Sequence, residues 1–182
     1  MNYPKIFRIP VPDFKETRGK HYLSVEEVKE LLDGVVTIEE KIDGKIDAER
    51  DHYQIVFFEF MKYKHTIPYF YLPSFKMVFD VYDEDAKKFL NWEEKYKWLT
   101  SRGYFVVREI FHGETTYEEL LTFLPKILAM KSAYGEKRIE GIIVKNYKKQ
   151  LFGKIVNPEF EEEMDGGKHW TKKKIVLNRL QI

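Results

Sequence analysis

The chain has 182 residues, of which 43% are hydrophobic and 16% aromatic, so it is long and apolar enough to form one domain with its own core. A formal net charge of +1 excludes a strong overall positive field, and the absence of cysteine excludes disulfides and thiolate metal sites. The five histidines lack metal-ligand spacing and no apolar run suits a signal peptide or a membrane span, so we expect an intracellular, cytoplasmic protein.

The first predicted elements lead into a turn that contains a lysine. Ser24–Glu27 is a capping-box pattern that opens a helix to Leu32, and Gly34 is suited to end it in the left-handed conformation. Val35–Glu39 is rich in β-branched residues and predicts a strand. Lys41 follows this strand directly, so we expect ordered structure to hold its side chain.

The rest of the chain alternates strand and helix patterns without a repeat or a linker. Further strands are predicted at 53–60, 76–82, 104–110, 139–145 and 151–156, and further helices begin at Asn91 and Thr116. Pro125 is expected to break or restart the last helix. We therefore predict an α+β fold with mixed, mainly antiparallel sheets flanked by helices. It forms one domain over residues 1–182, with 161–182 a basic tail packed on or beside it.

Positive charge is concentrated in two late segments, which are candidates for a polyanion-binding surface. The first contains Lys145, Lys148, Lys149 and Lys154, and the second contains Lys168, His169, Lys172, Lys173, Lys174 and Arg179. An acidic stretch separates them, so the alternative interpretation is a solvated surface of mixed charge.

Lys41-Ile42-Asp43-Gly44, the lysine motif, places a lysine after a strand with a carboxylate two residues on, as expected for an activated nucleophile. A lysine near its free pKa of about 10.4 is protonated at neutral pH, so it needs neighbours that favour the neutral amine. Lys145, Lys154 and a metal ion are the expected sources of that effect. The alternative interpretation is an exposed turn in which Gly44 supplies a positive φ.

Five segments in order resemble the motifs of the covalent nucleotidyltransferases, which comprise ATP-dependent DNA ligases, RNA ligases and capping guanylyltransferases. They are Ile38–Gly44, Phe57–Phe60, Phe75–Asp83, Glu140–Lys145 and Gly153–Val156. The chain is most similar to RNA ligases at His65–Tyr69, at the Phe-Asp-Val-Tyr-Asp run and at Asn157–Phe160 with the later His169-Trp170. The resemblance covers nearly the whole chain. It implies a ligase adenylation domain without an oligonucleotide-binding-fold (OB-fold) appendage.

The resemblance implies an ATP-dependent polynucleotide ligase, most similar to an RNA ligase, that acts on RNA with 5′-phosphate and 3′-hydroxyl ends. Lys41 would attack the α-phosphorus of ATP, release pyrophosphate and carry AMP. The AMP would pass to a 5′-phosphate, and a 3′-hydroxyl would then displace it. Such phosphoryl chemistry depends on positioning and charge neutralisation, so Mg²⁺ or Mn²⁺ is the expected second cofactor.

The resemblance also implies a role for each motif residue. The catalytic residues are Lys41, Asp43, Lys145 and Lys154, and the nucleotide-binding residues are Glu39, Glu40, Ile42, Arg50, Glu59, Phe79 and Glu140. Lys145 and Lys154 would contact phosphate, and Asp43 would support the lysine. Glu140 would bind the metal, Glu59 a ribose hydroxyl and Phe79 the adenine ring, while Glu39 or Glu40 would read the adenine amino edge. Alone, Phe79 is typical of a core residue. Glu59 alone fits a partnered buried carboxylate, but the cost of burying a charge favours a ligand-facing role at least equally.

Two departures from the family pattern keep other functions open. Relatives usually have an arginine in a longer segment after the lysine motif, for which only Arg50 is available, and Val156 stands where a second basic residue often follows Lys154. The enzymatic alternatives are a DNA ligase or a capping-type guanylyltransferase with the same lysine chemistry. The non-enzymatic alternative is a nucleotide- or RNA-binding relative with incomplete catalysis.

Overall fold

The computed structural model describes residues 1–165 and 176–181, with the side chains of 162–165 left aside, and it has the predicted α+β class. Its elements in order are β1 (Phe7–Arg8), α1 (Val25–Leu31), β2 (Val35–Glu40), β3 (Lys45–Asp51), β4 (Gln54–Phe60), β5 (Lys76–Asp83), β6 (Lys88–Phe89), α2 (Trp92–Thr100), β7 (Glu109–Glu114), α3 (Tyr117–Leu128), β8 (Gly141–Asn146), β9 (Leu151–Val156) and α4 (Pro158–Asp165). Of the predicted basic tail at 161–182, residues 166–175 and 182 lie outside the described part, and the His169-Trp170 pair is among them.

The strands form two sheets, and the lysine motif connects them. One sheet has the order β1-β9-β8-β2-β7, in which only the β1–β9 pair is parallel. The other is the antiparallel sheet β3-β4-β5-β6. The chain leaves the first sheet at the end of β2 and enters the second at β3, so residues 41–44 lie at the junction of the two sheets.

Three of the helices begin where the sequence predicts. Reciprocal capping boxes at Ser24, Asn91 and Thr116 open α1, α2 and α3, and Gly34 has the expected left-handed φ of 100°. Side chains of α1 and α3 form one core cluster with those of β2, β8 and β9. This packing stabilises the sheet that presents Lys41.

Helix α3 continues through Pro125 to Leu128, so the predicted break was wrong. Leu120, Leu124 and Ile127 are buried in the core on one face of this helix. Burial of each such side chain contributes about 1.5–3 kcal/mol, which together outweighs the roughly 3 kcal/mol cost of an internal proline. In the described part of the chain no helix combines the length and the apolar character that crossing a membrane requires.

Two of the differences from the predicted strands concern β3 and β7. Strand β3 was missed because this edge strand is largely exposed and polar. The strand predicted at 104–110 begins only at Glu109, and before it Val106 forms an isolated bridge with Val78.

Candidate active site

A cleft of about 810 Å³ lies where the two sheets meet. Its walls include the lysine motif, side chains from β2, β4, β5, β8 and β9, and the N-terminal stretches 2–8 and 19–21. The predicted site residues that line it are Glu39, Glu40, Lys41, Ile42, Asp43, Glu59, Phe79, Lys145 and Lys154. The fold therefore brings the five motifs together at one site.

The Lys41 side chain is paired with Glu140. Lys41 Nζ lies 2.5 Å from Glu140 Oε1, and the two side chains are 17% and 4% exposed. The Lys41 main-chain N–H donates to the Gly141 carbonyl oxygen at 2.9 Å. A Cβ at Gly141 would lie 2.2 Å from the Ile155 carbonyl oxygen, so only glycine fits between the strands here. The pair thus joins the lysine motif to the Glu140–Lys145 motif.

The surroundings of Lys41 favour its charged form. Burial lowers the pKa of Lys41, but attraction to Glu140 and Asp43 raises the pKa above its ordinary value overall. This direction is opposite to the one predicted from the sequence. The reason is that the carboxylates of Glu140 and Asp43 lie near the Lys41 amine. Lys145, which was expected to repel it, is paired with Glu39 and Asp80 instead. Burial raises the pKa of Glu140, and Lys41 opposes that rise.

Asp43 and Gly44 form the turn between Lys41 and β3. Thr66 Oγ1 donates to Asp43 Oδ2 at 2.5 Å, and the Asp43 N–H donates to the Tyr69 hydroxyl at 3.3 Å. Gly44 does not have a positive φ; instead, a Cβ there would lie 2.7 Å from the Phe60 carbonyl oxygen. The exposed-turn interpretation of the lysine motif was therefore wrong, because close packing is what requires this glycine.

Glu59 lies beside the same turn, where its Oε2 accepts a hydrogen bond from the Gly44 N–H at 3.2 Å. Burial raises the pKa of Glu59 to about 8, although Lys41 opposes the rise. The carboxyl group is therefore mostly protonated at pH 7, and it can both donate and accept hydrogen bonds.

A group of buried ionisable side chains surrounds the main-chain carbonyl of Phe79. We call it the buried polar cluster, and its members are Glu39, Asp80, Lys95, Lys145 and Tyr147. Lys145 Nζ lies 2.7 Å from Glu39 Oε2 and 2.9 Å from Asp80 Oδ2. Lys95 Nζ is paired with Glu39 and donates to the Tyr147 hydroxyl at 2.7 Å. Both amines also donate to the Phe79 carbonyl oxygen at 2.9 Å.

The two carboxylates and two lysines of this cluster balance in charge. Burial lowers the pKa of Lys145, but Asp80 and Glu39 raise it overall. Burial raises the pKa of Asp80, but Lys145 and Lys95 lower it overall. Lys145 is therefore a stable ammonium group whose three donors are already engaged, although the residue lines the cleft.

Lys95 belongs to the buried polar cluster, although it was not predicted from the sequence. It lies on α2 between Trp92 and Leu99, at the three- and four-residue spacings that place side chains on one helix face. Leu99 is fully buried, and so is Lys95. A lysine at a core position of a helix was the signal that could have found it, since such a lysine needs buried carboxylates as partners.

Phe79 lines the cleft with a half-buried ring. The Lys145 amine lies 5.4 Å from its centroid, and the Tyr3 ring packs edge-on at 4.9 Å. The Tyr3 hydroxyl donates to Asp80. No pattern in the sequence indicates that Tyr3 reaches this cleft.

Glu40 presents one unsatisfied oxygen. Its Oε2 lies 3.0 Å from an Arg108 guanidinium nitrogen and accepts from the Ala133 N–H at 3.2 Å. Its Oε1 is buried and has no hydrogen-bond partner among residues 1–165 and 176–181. Burial raises the pKa of Glu40, which Ser132 and Arg108 oppose.

Lys154 lies on β9 in register with Arg8 of β1 and faces the cleft. Burial lowers the pKa of Lys154 to about 8, and the nearby charges of Lys41, Arg8 and Lys20 add to this effect. Positive charge is thus concentrated at this end of the cleft, which favours an anion.

The structure does not bring Arg50 to the cleft. Its guanidinium is 67% exposed and lies 2.9 Å from Glu84, near the far end of the β3–β4 hairpin. The reason is that the exposed edge strand β3 carries Arg50 away from the lysine motif.

Glu140 is the residue that fits a divalent cation. In the described part of the chain, no three histidine or acidic side chains are grouped so that they could hold a metal. Mg²⁺, however, often binds through one or two carboxylates together with substrate phosphates. Glu140 is not among the residues that line the cleft, but it is paired with Lys41, which does line it, and its Oε2 has no hydrogen-bond partner among the described residues.

Comparison with protein families identifies the family to which the chain belongs. The sequence model of the RNA ligase family matches residues 12–163, which include all five motifs. This protein therefore belongs to the RNA ligase family. Comparison with curated proteins and with solved structures found no match.

Proposed function

We propose that this protein is an ATP-dependent RNA ligase that joins 5′-phosphate and 3′-hydroxyl ends through a lysyl-AMP on Lys41. The observation that carries the proposal is that Lys41, paired with Glu140, lines a cleft together with Phe79 and Lys154. Membership of the RNA ligase family supports the same class of reaction.

The proposed nucleotide contacts use side chains of the cleft that other residues do not already bind. Adenine stacks on Phe79, and its amino group donates to Glu40 Oε1, which has no other partner in the described part of the chain. Glu40 is favoured over Glu39 because two lysines already bind Glu39. Glu59 is the contact for a ribose hydroxyl.

Phosphate binding is assigned mainly to Lys154. Its neighbours are largely cations, so an added anion would relieve their mutual repulsion. Lys145 contributes its charge from within the buried polar cluster. Glu140 would hold a magnesium ion, which would supply positive charge to offset that of the phosphates.

Lys41 must lose a proton before it can attack. Glu140 makes the largest contribution that keeps the amine charged. Withdrawal of that contribution would lower the pKa of Lys41 and favour loss of its proton to solvent in the cleft. A nitrogen–phosphorus bond then forms as the bond from the α-phosphorus to the pyrophosphate oxygen breaks. The RNA 5′-phosphate then attacks the AMP phosphorus as the bond to Lys41 breaks. The 3′-hydroxyl next attacks the activated 5′-phosphate, which forms the phosphodiester and releases AMP.

Labelling with ATP that carries a labelled α-phosphate, in the presence of magnesium, tests the proposal. We expect a covalent adduct on the wild-type protein and none on Lys41→Ala, whereas Lys45→Ala keeps the adduct. Lys45 is a matched control because it lies four residues away and is 72% exposed. An adduct formed only from GTP would contradict the ATP assignment, and sealing of DNA but not RNA nicks would contradict the RNA assignment.

A further inference from the structure

Residues 176–181, here called the C-terminal clasp, lie against the loop between β4 and β5. Five main-chain hydrogen bonds of 2.9–3.2 Å join the clasp to this loop along its length. The N–H donors and their carbonyl acceptors are Lys64 to Val176, Asn178 to Lys62, Arg179 to Tyr69, Leu72 to Arg179 and Gln181 to Leu72. The clasp lies outside residues 12–163, so the family match does not account for it.

Asn178 is the buried centre of this contact. Its side-chain amide donates to the Met61 carbonyl oxygen at 2.7 Å and to the Tyr63 carbonyl oxygen at 3.2 Å. Its Oδ1 accepts from the Tyr69 N–H at 2.9 Å. Leu177 on one side is 53% exposed, so hydrogen bonds rather than apolar burial hold the clasp at this point.

The loop held by Asn178 also holds the lysine motif. Tyr69 is fully buried, and its hydroxyl accepts the hydrogen bond from the Asp43 N–H. Thr66, three residues earlier in the same loop, donates to the Asp43 carboxylate. Continuous contacts therefore lead from Asn178 through Tyr69 to Asp43, two residues from Lys41.

We propose that Asn178 is a positioning residue for lysine adenylylation, acting through Tyr69 on the turn that carries Lys41. This inference rests on the proposed function. Displacement of reacting groups by about 1 Å can reduce a rate about 100-fold, so a loosened loop should slow the chemical step. Binding of ATP should change little, because Phe79 and Glu40 lie on the sheets rather than on this loop.

Single-turnover adenylylation of Asn178→Ala at saturating ATP, well below its unfolding temperature, tests the inference. We expect a rate about 10- to 100-fold below wild type, with the ATP concentration for half-maximal rate changed less than about threefold. Asn146→Ala is the matched control, because Asn146 is also buried and bonds to the carbonyls of Leu31 and Asp33 and to the Lys149 N–H. It should lose comparable stability but keep the wild-type rate.

Tyr69→Phe provides a second variant that removes one hydroxyl and keeps the ring. We expect it to slow adenylylation too, and we expect the double variant Asn178→Ala/Tyr69→Phe to be slower by less than the product of the two single effects. Wild-type rates in both single variants, or equal slowing in Asn146→Ala, would overturn the positioning role alone. Absence of an adduct on the wild-type protein would overturn the proposed function, and this inference with it.

Discussion

The Lys41–Glu140 pair and the buried polar cluster both place lysines against carboxylates, yet they differ in how fully their polar atoms are satisfied. Lys145 makes three polar contacts and is 1% exposed. Lys41 is 17% exposed, and Glu140 Oε2 has no partner in the described part of the chain. Burial alone therefore does not distinguish Lys41, the proposed nucleophile, from Lys145. The unused hydrogen-bonding capacity beside Lys41 is what separates the two regions.

The largest expected effect of a single substitution belongs to the buried polar cluster. Lys145→Ala leaves Glu39 and Asp80 with Lys95 as their one cationic partner in the described part of the chain, and loss of one partner from a buried charge network costs about 3–5 kcal/mol. Thermal unfolding should show a midpoint lowered by about 10 °C. Lys149→Ala, at an exposed ion pair with Asp33, should lose less than about 1 kcal/mol. Equal midpoints for both variants would contradict a structural role for the cluster.

Glu140→Gln should affect the reaction more than the fold. The change keeps the size of the side chain but removes the charge proposed to hold magnesium and to control the proton on Lys41. We expect adenylylation to slow by about 100- to 1,000-fold. Glu159→Gln is the control, since Glu159 forms an exposed pair with Arg138. Wild-type rates for Glu140→Gln across a magnesium titration would exclude this role.

Glu59 should produce a pH-dependent difference in stability. Its folded pKa of about 8 lies above the ordinary value of 4.5, so the neutral group favours the folded state. This contribution is complete below pH 4.5 and is lost as the pH rises through about 8. The free energy of unfolding of the wild type, relative to Glu59→Gln, should fall by about 5 kcal/mol over that window. Denaturant titrations that give parallel pH profiles would mean that Glu59 ionises normally.

Arg50→Ala should have the smallest effect, because the guanidinium is exposed and remote from the cleft. We expect the free energy of unfolding to change by less than about 0.5 kcal/mol and adenylylation by less than about twofold. A large loss of RNA sealing, with adenylylation intact, would show that the hairpin end contacts RNA.

The sequence predicted which residues meet at the cleft better than it predicted their pKa values. Lys41, Glu59 and Lys154 lie in short motifs whose order is visible along the chain, and their convergence follows from the strands that carry them. The direction of the Lys41 pKa was not predictable, because it depends on which carboxylates the fold places nearby. Lys145 appeared available from the sequence, but Lys95, brought in by α2, completes a cluster that binds it.

The same distinction holds for the fold. Capping boxes depend on residues three positions apart, so the starts of α1, α2 and α3 were readable. Pro125 was misread because burial of one face of α3 outweighs the cost of the internal proline. β3 was missed because this strand is largely exposed and polar. Asn178 had no local signal, since each of its three partners is more than 100 residues away in sequence.

Mass mapping of the modified peptide after incubation with ATP and magnesium tests most directly whether Lys41 carries AMP. We expect an added AMP, labile to acid as a phosphoramidate, on the Lys41 side chain alone. AMP on Lys145 or Lys154, or an unmodified Lys41 under conditions in which the protein seals RNA, would contradict it.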